Sequence, residues 1–274
     1  MRDLLAALAD LVLPSACAGC AAERVPLRSG VCAGCAAALT ALTPFPAAPA
    51  PVPPGLPPCT AVGAYAGPLR GCLLAYKERR RHALARPLGA LLAGAIAGAA
   101  LRGGGGPAVP LILVPVPSTA KAVRARHGDH MARLVTHAAR ELRGHGWQVR
   151  VVRPLRARPR PDSATLDAPG RRMAAESSLT IRRAWIRISR RRPTMRGTLI
   201  VVDDILTTGA TLAAVAARLT EAKMQVTGSA TLAATRLRRV ADPRRGDFRR
   251  MSRQGSKVPV SGSPTRGDSE ASAR

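Results

Sequence analysis

The chain has 274 residues, 46% of them hydrophobic and 22% charged, which supplies one sizeable core plus a small appendage and excludes a wholly disordered chain. Its 43 Lys and Arg against 16 Asp and Glu give a formal charge of +27, pointing either to an anionic substrate or polyanion or to an Arg-heavy solvated surface. Aromatic residues make up only 2%, so a strand-binding module built on stacked rings is disfavoured.

Residues 4–13 are apolar and precede the small residues Ser15, Ala16, Cys17 and Ala18, the outline of an export signal. Asp3 and Asp10 speak against that outline, and Leu4, Leu5, Leu8, Leu11 and Val12 recur at helical spacing, as in an amphipathic helix docking on a partner surface. This stretch and the Ala/Gly-rich run 88–101 are both too short to span a bilayer. Both are read as buried helices of a soluble, cytoplasmic protein.

Four cysteines fall into two identical tetrapeptides, Cys17-Ala18-Gly19-Cys20 and Cys32-Ala33-Gly34-Cys35. Each such turn lets two thiolates converge on one ion, and two turns complete a tetrahedral sulfur set suited to structural Zn²⁺. A redox dithiol and a pair of disulfides are the competing readings. Cys59 and Cys72 lack such a partner and read as ordinary thiols. The Pro/Ala-rich stretch 42–58 follows, in which missing N–H donors favour extended polyproline geometry and a semi-rigid linker. The expected division is a helix, four-cysteine head and linker over 1–58, a body over 59–239, and a disordered basic tail over 240–274.

Within the body, apolar strand signals at 110–116, 148–152, 199–202 and 226–233 alternate with helical signals at 130–143 and 211–223. Alternation predicts an α/β fold with a parallel sheet flanked by helices. The Arg/Pro-rich stretch 153–172 reads as a mobile loop or as a lid over a bound ligand.

One segment concentrates the chemistry: the strand 199–202 runs directly into Asp203, Asp204, Ile205, Leu206, Thr207, Thr208, Gly209, Ala210 and Thr211. Open parallel sheets bind ligands at the carboxyl ends of their strands. Backbone amides of residues 207–211, at the start of a helix, form a nest for a phosphate monoester, and the Thr hydroxyls add donors. Asp203 and Asp204 stand where the hydroxyls of an adjacent sugar would lie. A simple helix cap would need only one Ser, Thr or Asp.

This array resembles the phosphoribosyl-diphosphate (PRPP) motif of type I phosphoribosyltransferases. With the four-cysteine head, Tyr65-x-Gly67-x-x-Arg70 leading to Tyr76-Lys77, and Val114-Pro115-Val116-Pro117 followed by Arg124-x-Arg126, the order of elements resembles the ComF family of competence-related, phosphoribosyltransferase-like proteins over about residues 10–239. The resemblance implies a type I phosphoribosyltransferase-like sheet behind a zinc-binding head. It also implies that Asp203 and Asp204 hold the ribose hydroxyls and that Thr207, Thr208, Gly209, Ala210 and Thr211 cradle the 5′-phosphate. It further implies Lys77, Arg124 and Arg126 as candidate partners for diphosphate, alongside Mg²⁺.

The implied reaction is attack of a nitrogen nucleophile on the anomeric carbon of PRPP with loss of diphosphate; no residue stands out as its base, and no feature names the acceptor. The rival is a non-catalytic PRPP sensor, or a protein that handles DNA through its basic surface, in line with the family's association with DNA uptake. Two departures from the family stand out: His127-Gly128-Asp129-His130 replaces a Gly-Phe-Asn-Gln-like stretch, and a second set of paired cysteines is missing.

Overall fold

The computed structural model describes residues 16–158, 178–183, 185, 196–235 and 238–239. The expected N-terminal helix, most of the Arg/Pro-rich stretch and the tail from 240 lie outside these residues.

The strands are β1 (Phe45–Ala48), β2 (Cys59–Ala64), β3 (Leu111–Pro115), β4 (Val149–Val151), β5 (Leu155–Ala157), β6 (Leu179–Ile181), β7 (Thr198–Leu206), β8 (Gly228–Ala234) and β9 (Arg238–Arg239); β3, β4, β7 and β8 fall on the predicted apolar runs, and the other five were not predicted. The helices are α1 (Ala33–Thr40), α2 (Gly67–Glu78), α3 (Ala85–Arg102), α4 (Ala120–Ala125), α5 (His130–Gly144) and α6 (Ala210–Glu221). Seven strands form one sheet in the order β4-β3-β7-β8-β2-β1-β9. The first five are mutually parallel, whereas β1 joins β2, and β9 joins β1, antiparallel. β5 and β6 make a separate antiparallel ribbon.

β7 is central, and its first five residues are buried, as a strand covered on both faces requires. Ile200 and Val202 point into a cluster with Leu92 and Ile96 of α3 and Leu134 and Ala138 of α5. Leu199 and Val201 point the other way, to Leu212, Val215 and Leu219 of α6 and to Leu155 and Leu179 of the ribbon. The period-2 alternation of the strand thus seats one helical layer on each face. Helix α5 begins at Asp129, whose carboxylate accepts from the Ala132 N–H at 3.0 Å, and its buried stripe of Met131, Leu134, Val135, Ala138 and Leu142 has helical spacing. Among the described residues, His82–Arg102 alone is long and apolar enough to cross a membrane, and over half of its apolar window is buried in this core.

Two features differ from a linker-and-head picture. The Pro-rich stretch supplies β1, with Phe45 opposite Ala61 and Ala47 opposite Cys59. Pro46 is tolerated because it lies outside the short register with β9, which engages only Ala47 and Ala48. The cysteine turns also share the α2–α3 core: Cys17, Val31, Cys35 and Leu39 cluster with Leu69, Leu73 and Leu84. Gly71 of α2 lies so close under the first turn that a Cβ there would sit 2.3 Å from the Gly19 carbonyl oxygen.

Helices α3 and α5 touch at Gly89, where a Cβ would fall 2.5 Å from Cβ of His137 and 3.1 Å from the Leu134 carbonyl oxygen. Gly89→Ala gains about 1 kcal/mol of helix propensity, but the overpacking, about 1–3 kcal/mol, opposes it. A net loss of stability in urea unfolding is expected; a more stable variant would show that the helices approach less closely.

Candidate functional site

The carboxyl end of β7 carries Asp203 and Asp204 on opposite sides of the sheet. Asp203 is half-buried, and its Oδ1 accepts the Asp204 backbone N–H at 2.9 Å. Asp204 is only 6% exposed. A carboxylate so deeply placed requires partners, and two meet at its Oδ2: Lys77 Nζ at 2.8 Å and His130 Nε2 at 3.0 Å.

Each partner is delivered by its own element. Lys77 closes the last turn of α2. His130 is the first residue of α5, directly after the capping Asp129. The buried Tyr76, next to Lys77, donates its hydroxyl to the His130 carbonyl oxygen at 2.8 Å and so ties the end of α2 to the start of α5. Burial pushes the Tyr76 phenol up, which keeps it a donor. Arg126 caps the end of α4, with Nη2 4.0 Å from Oε1 of Glu78, the residue after Lys77. Arg133 holds the turn between α4 and α5 by donating to the His127 carbonyl oxygen at 2.8 Å and lying 2.9 Å from Nδ1 of His82. That turn passes through Gly128 at φ +137, a region closed to most side chains.

The loop after β7 has the form expected of an anion nest. Thr207 and Thr208 are exposed, and Gly209 is the helix cap in left-handed geometry at φ +74. The Ala210 N–H points to Thr208 Oγ1 at 3.4 Å. The first-turn amides of α6, including Ala210 and Thr211, are those a helix leaves without carbonyl partners. Gly209 itself is buried beneath the Pro-rich stretch, where a Cβ would sit 3.1 Å from Leu56 and 3.2 Å from Pro53. The neighbouring strand end, Val114 to Pro117, lies alongside: Pro115 pairs with Val202, and the Val116 N–H donates to the Val202 carbonyl oxygen at 2.9 Å.

Of the residues singled out in the sequence, Lys77 and Asp204 meet directly, and Arg126 reaches Glu78 beside them. Arg124 is exposed in the last turn of α4. His130 was not singled out. Its only signal was its place directly after a capping Asp, in the stretch that departs from the resembled family.

In the head, the four sulfurs of Cys17, Cys20, Cys32 and Cys35 lie within 4.8 Å of one another. Cys17 Sγ accepts the backbone N–H groups of Gly19 at 3.4 Å and Cys32 at 3.2 Å. Burial alone would raise the Cys17 thiol, but hydrogen bonds from the Cys20, Cys32 and Gly19 amides outweigh it and bring it down to about 6. Burial pushes the Cys35 thiol up. Two turns offering thiolates to one point, with amides facing the sulfur, fit a closed tetrahedral Zn²⁺ site.

Burial also pushes the Asp204 carboxyl up from its ordinary 3.8, but the hydrogen bond from His130 and the charge of Lys77 outweigh it and hold the group at about 2. A carboxyl depressed in the fold stabilises it above the unfolded value and loses that contribution as pH falls through the folded value. The stability advantage of the parent over Asp204→Asn is therefore expected to shrink by about 2 kcal/mol between pH 5 and pH 2. Urea titrations across that range measure it, and a pH-independent difference would contradict the Lys77–Asp204–His130 arrangement.

Residues 168–266 match the family model of the phosphoribosyl transferase domain, a stretch that contains β7, the nest and α6. No curated protein matches the chain. The mostly parallel sheet between helical layers, this domain match and the four-cysteine cluster fit a phosphoribosyltransferase-like protein with a metal-binding head.

Proposed function

We propose that the chain binds PRPP at the carboxyl end of β7 and transfers its phosphoribosyl group to a nitrogen nucleophile, releasing diphosphate. The observation that carries this reading is the buried strand ending in two carboxylates and running into a left-handed Gly cap, with a lysine from another helix brought against the second carboxylate. Thr207, Thr208, Gly209, Ala210 and Thr211 receive the 5′-phosphate, and Asp203 and Asp204 accept from the ribose hydroxyls. Lys77 and Arg126 face the diphosphate, whose departure needs neutralised charge. Mg²⁺, when bound with PRPP, supplies further charge neutralisation on the diphosphate.

In the reaction, the bond from the anomeric carbon to diphosphate breaks through an oxocarbenium-like state, a bond to the acceptor nitrogen forms, and that nitrogen gives up a proton. This chain's part is to fix the sugar between nest and carboxylates and to balance the leaving charge. The Cys17, Cys20, Cys32 and Cys35 set holds Zn²⁺ as a structural staple beside α2, as in the ComF family that the order of motifs resembles, and the protein acts in the cytoplasm. The formal charge of +27 favours a second reading, a PRPP sensor or a DNA-handling protein associated with DNA uptake. DNA affinity that falls steeply with salt, with no diphosphate release from PRPP and a panel of amines, would favour it over the enzyme.

Calorimetry with PRPP and Mg²⁺ tests the site. Losing a charge-assisted hydrogen bond of about 1.5–3 kcal/mol, Asp203→Asn is expected to weaken binding about tenfold or more, and Thr208→Ala to weaken it as well. Unchanged affinity in both variants would refute the assignment. Metal analysis of the purified chain is expected to give about one zinc, and Cys17→Ser with Cys32→Ser to remove it and lower the melting temperature; a zinc-free, equally stable parent would refute the staple.

A further inference from the structure

Lys77 and His130 share one oxygen of Asp204 but differ in what else they can do. The Lys77 side chain is 19% exposed on a flexible stem, and Asp204 is the one ion-pair partner its ammonium has among the described residues. His130 is 7% exposed, and its backbone is pinned by the Tyr76 hydroxyl and by the first turn of a helix capped by Asp129. An arriving anion can draw Lys77 away, whereas His130 has nowhere to turn.

The ring's own bonding supports a fixed role. A carboxylate only accepts, so the proton at the 3.0 Å contact resides on His130 Nε2. Nδ1 is buried and has no hydrogen-bond partner among the described residues. An unprotonated Nδ1 leaves an idle lone pair, while a protonated one would bury an N–H with no acceptor, the more costly fault. The arrangement suits a neutral Nε2–H ring whose single directed bond goes to Asp204.

Building on the PRPP reading of the site, we propose that His130 is the positioning residue of the sugar subsite: it keeps the Asp204 carboxylate aimed when the diphosphate takes Lys77 away. Lys77 is then an exchangeable counter-ion, paired with Asp204 in the free protein and with the diphosphate in the complex. His130 touches neither sugar nor diphosphate and acts through Asp204. With His130 in place, the buried carboxylate keeps a hydrogen-bond donor in both states.

The test compares His130→Leu, which removes the donor, with His130→Gln, whose amide nitrogen can take the place of Nε2, and with His130→Asn, whose amide is too short to reach Asp204. PRPP affinity with Mg²⁺ is measured by calorimetry, folding by thermal melts, and the ring tautomer of the parent by ¹⁵N NMR. The parent ring is expected as the Nε2–H tautomer with and without PRPP. His130→Leu and His130→Asn are expected to bind PRPP at least about tenfold more weakly, and His130→Gln to recover most of that loss.

If His130→Leu does not fold, the contrast between Gln and Asn decides alone. Parent-like affinity in His130→Asn or His130→Leu, failure of Gln to exceed Asn, or an Nδ1–H tautomer would overturn the proposal while the PRPP site stands. A parent that binds no PRPP would overturn the site reading, and the sugar-positioning role with it, although an Nε2–H tautomer would still report the His130–Asp204 contact.

Discussion

A charge buried at the end of a strand must be answered from elsewhere in the chain. Asp204 sits where β7 leaves the core, almost fully out of water, and its oxygen is met by an ammonium from α2 and an imidazole from α5. Satisfying that one group constrains three elements at once: the last turn of α2, the first turn of α5 and the register of β7. Tyr76 reinforces the same junction through the His130 carbonyl oxygen. The result is a polar corner on an otherwise apolar face, next to the loop proposed to receive the 5′-phosphate.

That corner explains how one end of the sheet can serve chemistry while the rest serves stability. Residues 200 and 202 of β7 pack on α3 and α5, and residues 199 and 201 pack on α6, so the strand is held on both faces before it reaches the two carboxylates. The left-handed Gly209 then turns the chain into α6, whose first-turn amides lack carbonyl partners within the helix. A site built on the ends of rigid elements keeps its groups in place without ligand.

Much of this was legible in the sequence because it is local. The alternation of strand and helix signals follows from side-chain periodicity, and the Asp-Asp to Thr-Gly-x-Thr array states its own turn and helix start. The spacing of Cys17, Cys20, Cys32 and Cys35 foretold their convergence, which the sulfur distances bear out. The partnership of Lys77 and His130 at Asp204 was not legible, because it depends on how α2 and α5 pack against the sheet, and no local pattern encodes that. For the same reason, β1 was hidden in a Pro-rich stretch: whether such a segment joins a sheet depends on a neighbour with free edge groups, here β2. The close seating of the cysteine turns on α2 rests on Gly19 and Gly71, whose lack of a side chain matters only once the two surfaces meet.

The central claim is that the end of β7 and the start of α6 grip a phosphorylated sugar. Diffraction from crystals soaked with PRPP and Mg²⁺ tests it most directly. The account predicts density for the 5′-phosphate against the amides of residues 207–211, the ribose beside Asp203 and Asp204, and Lys77 moved from Asp204 toward the diphosphate. A nest that stays empty at saturating ligand, or PRPP found elsewhere on the surface, would contradict it.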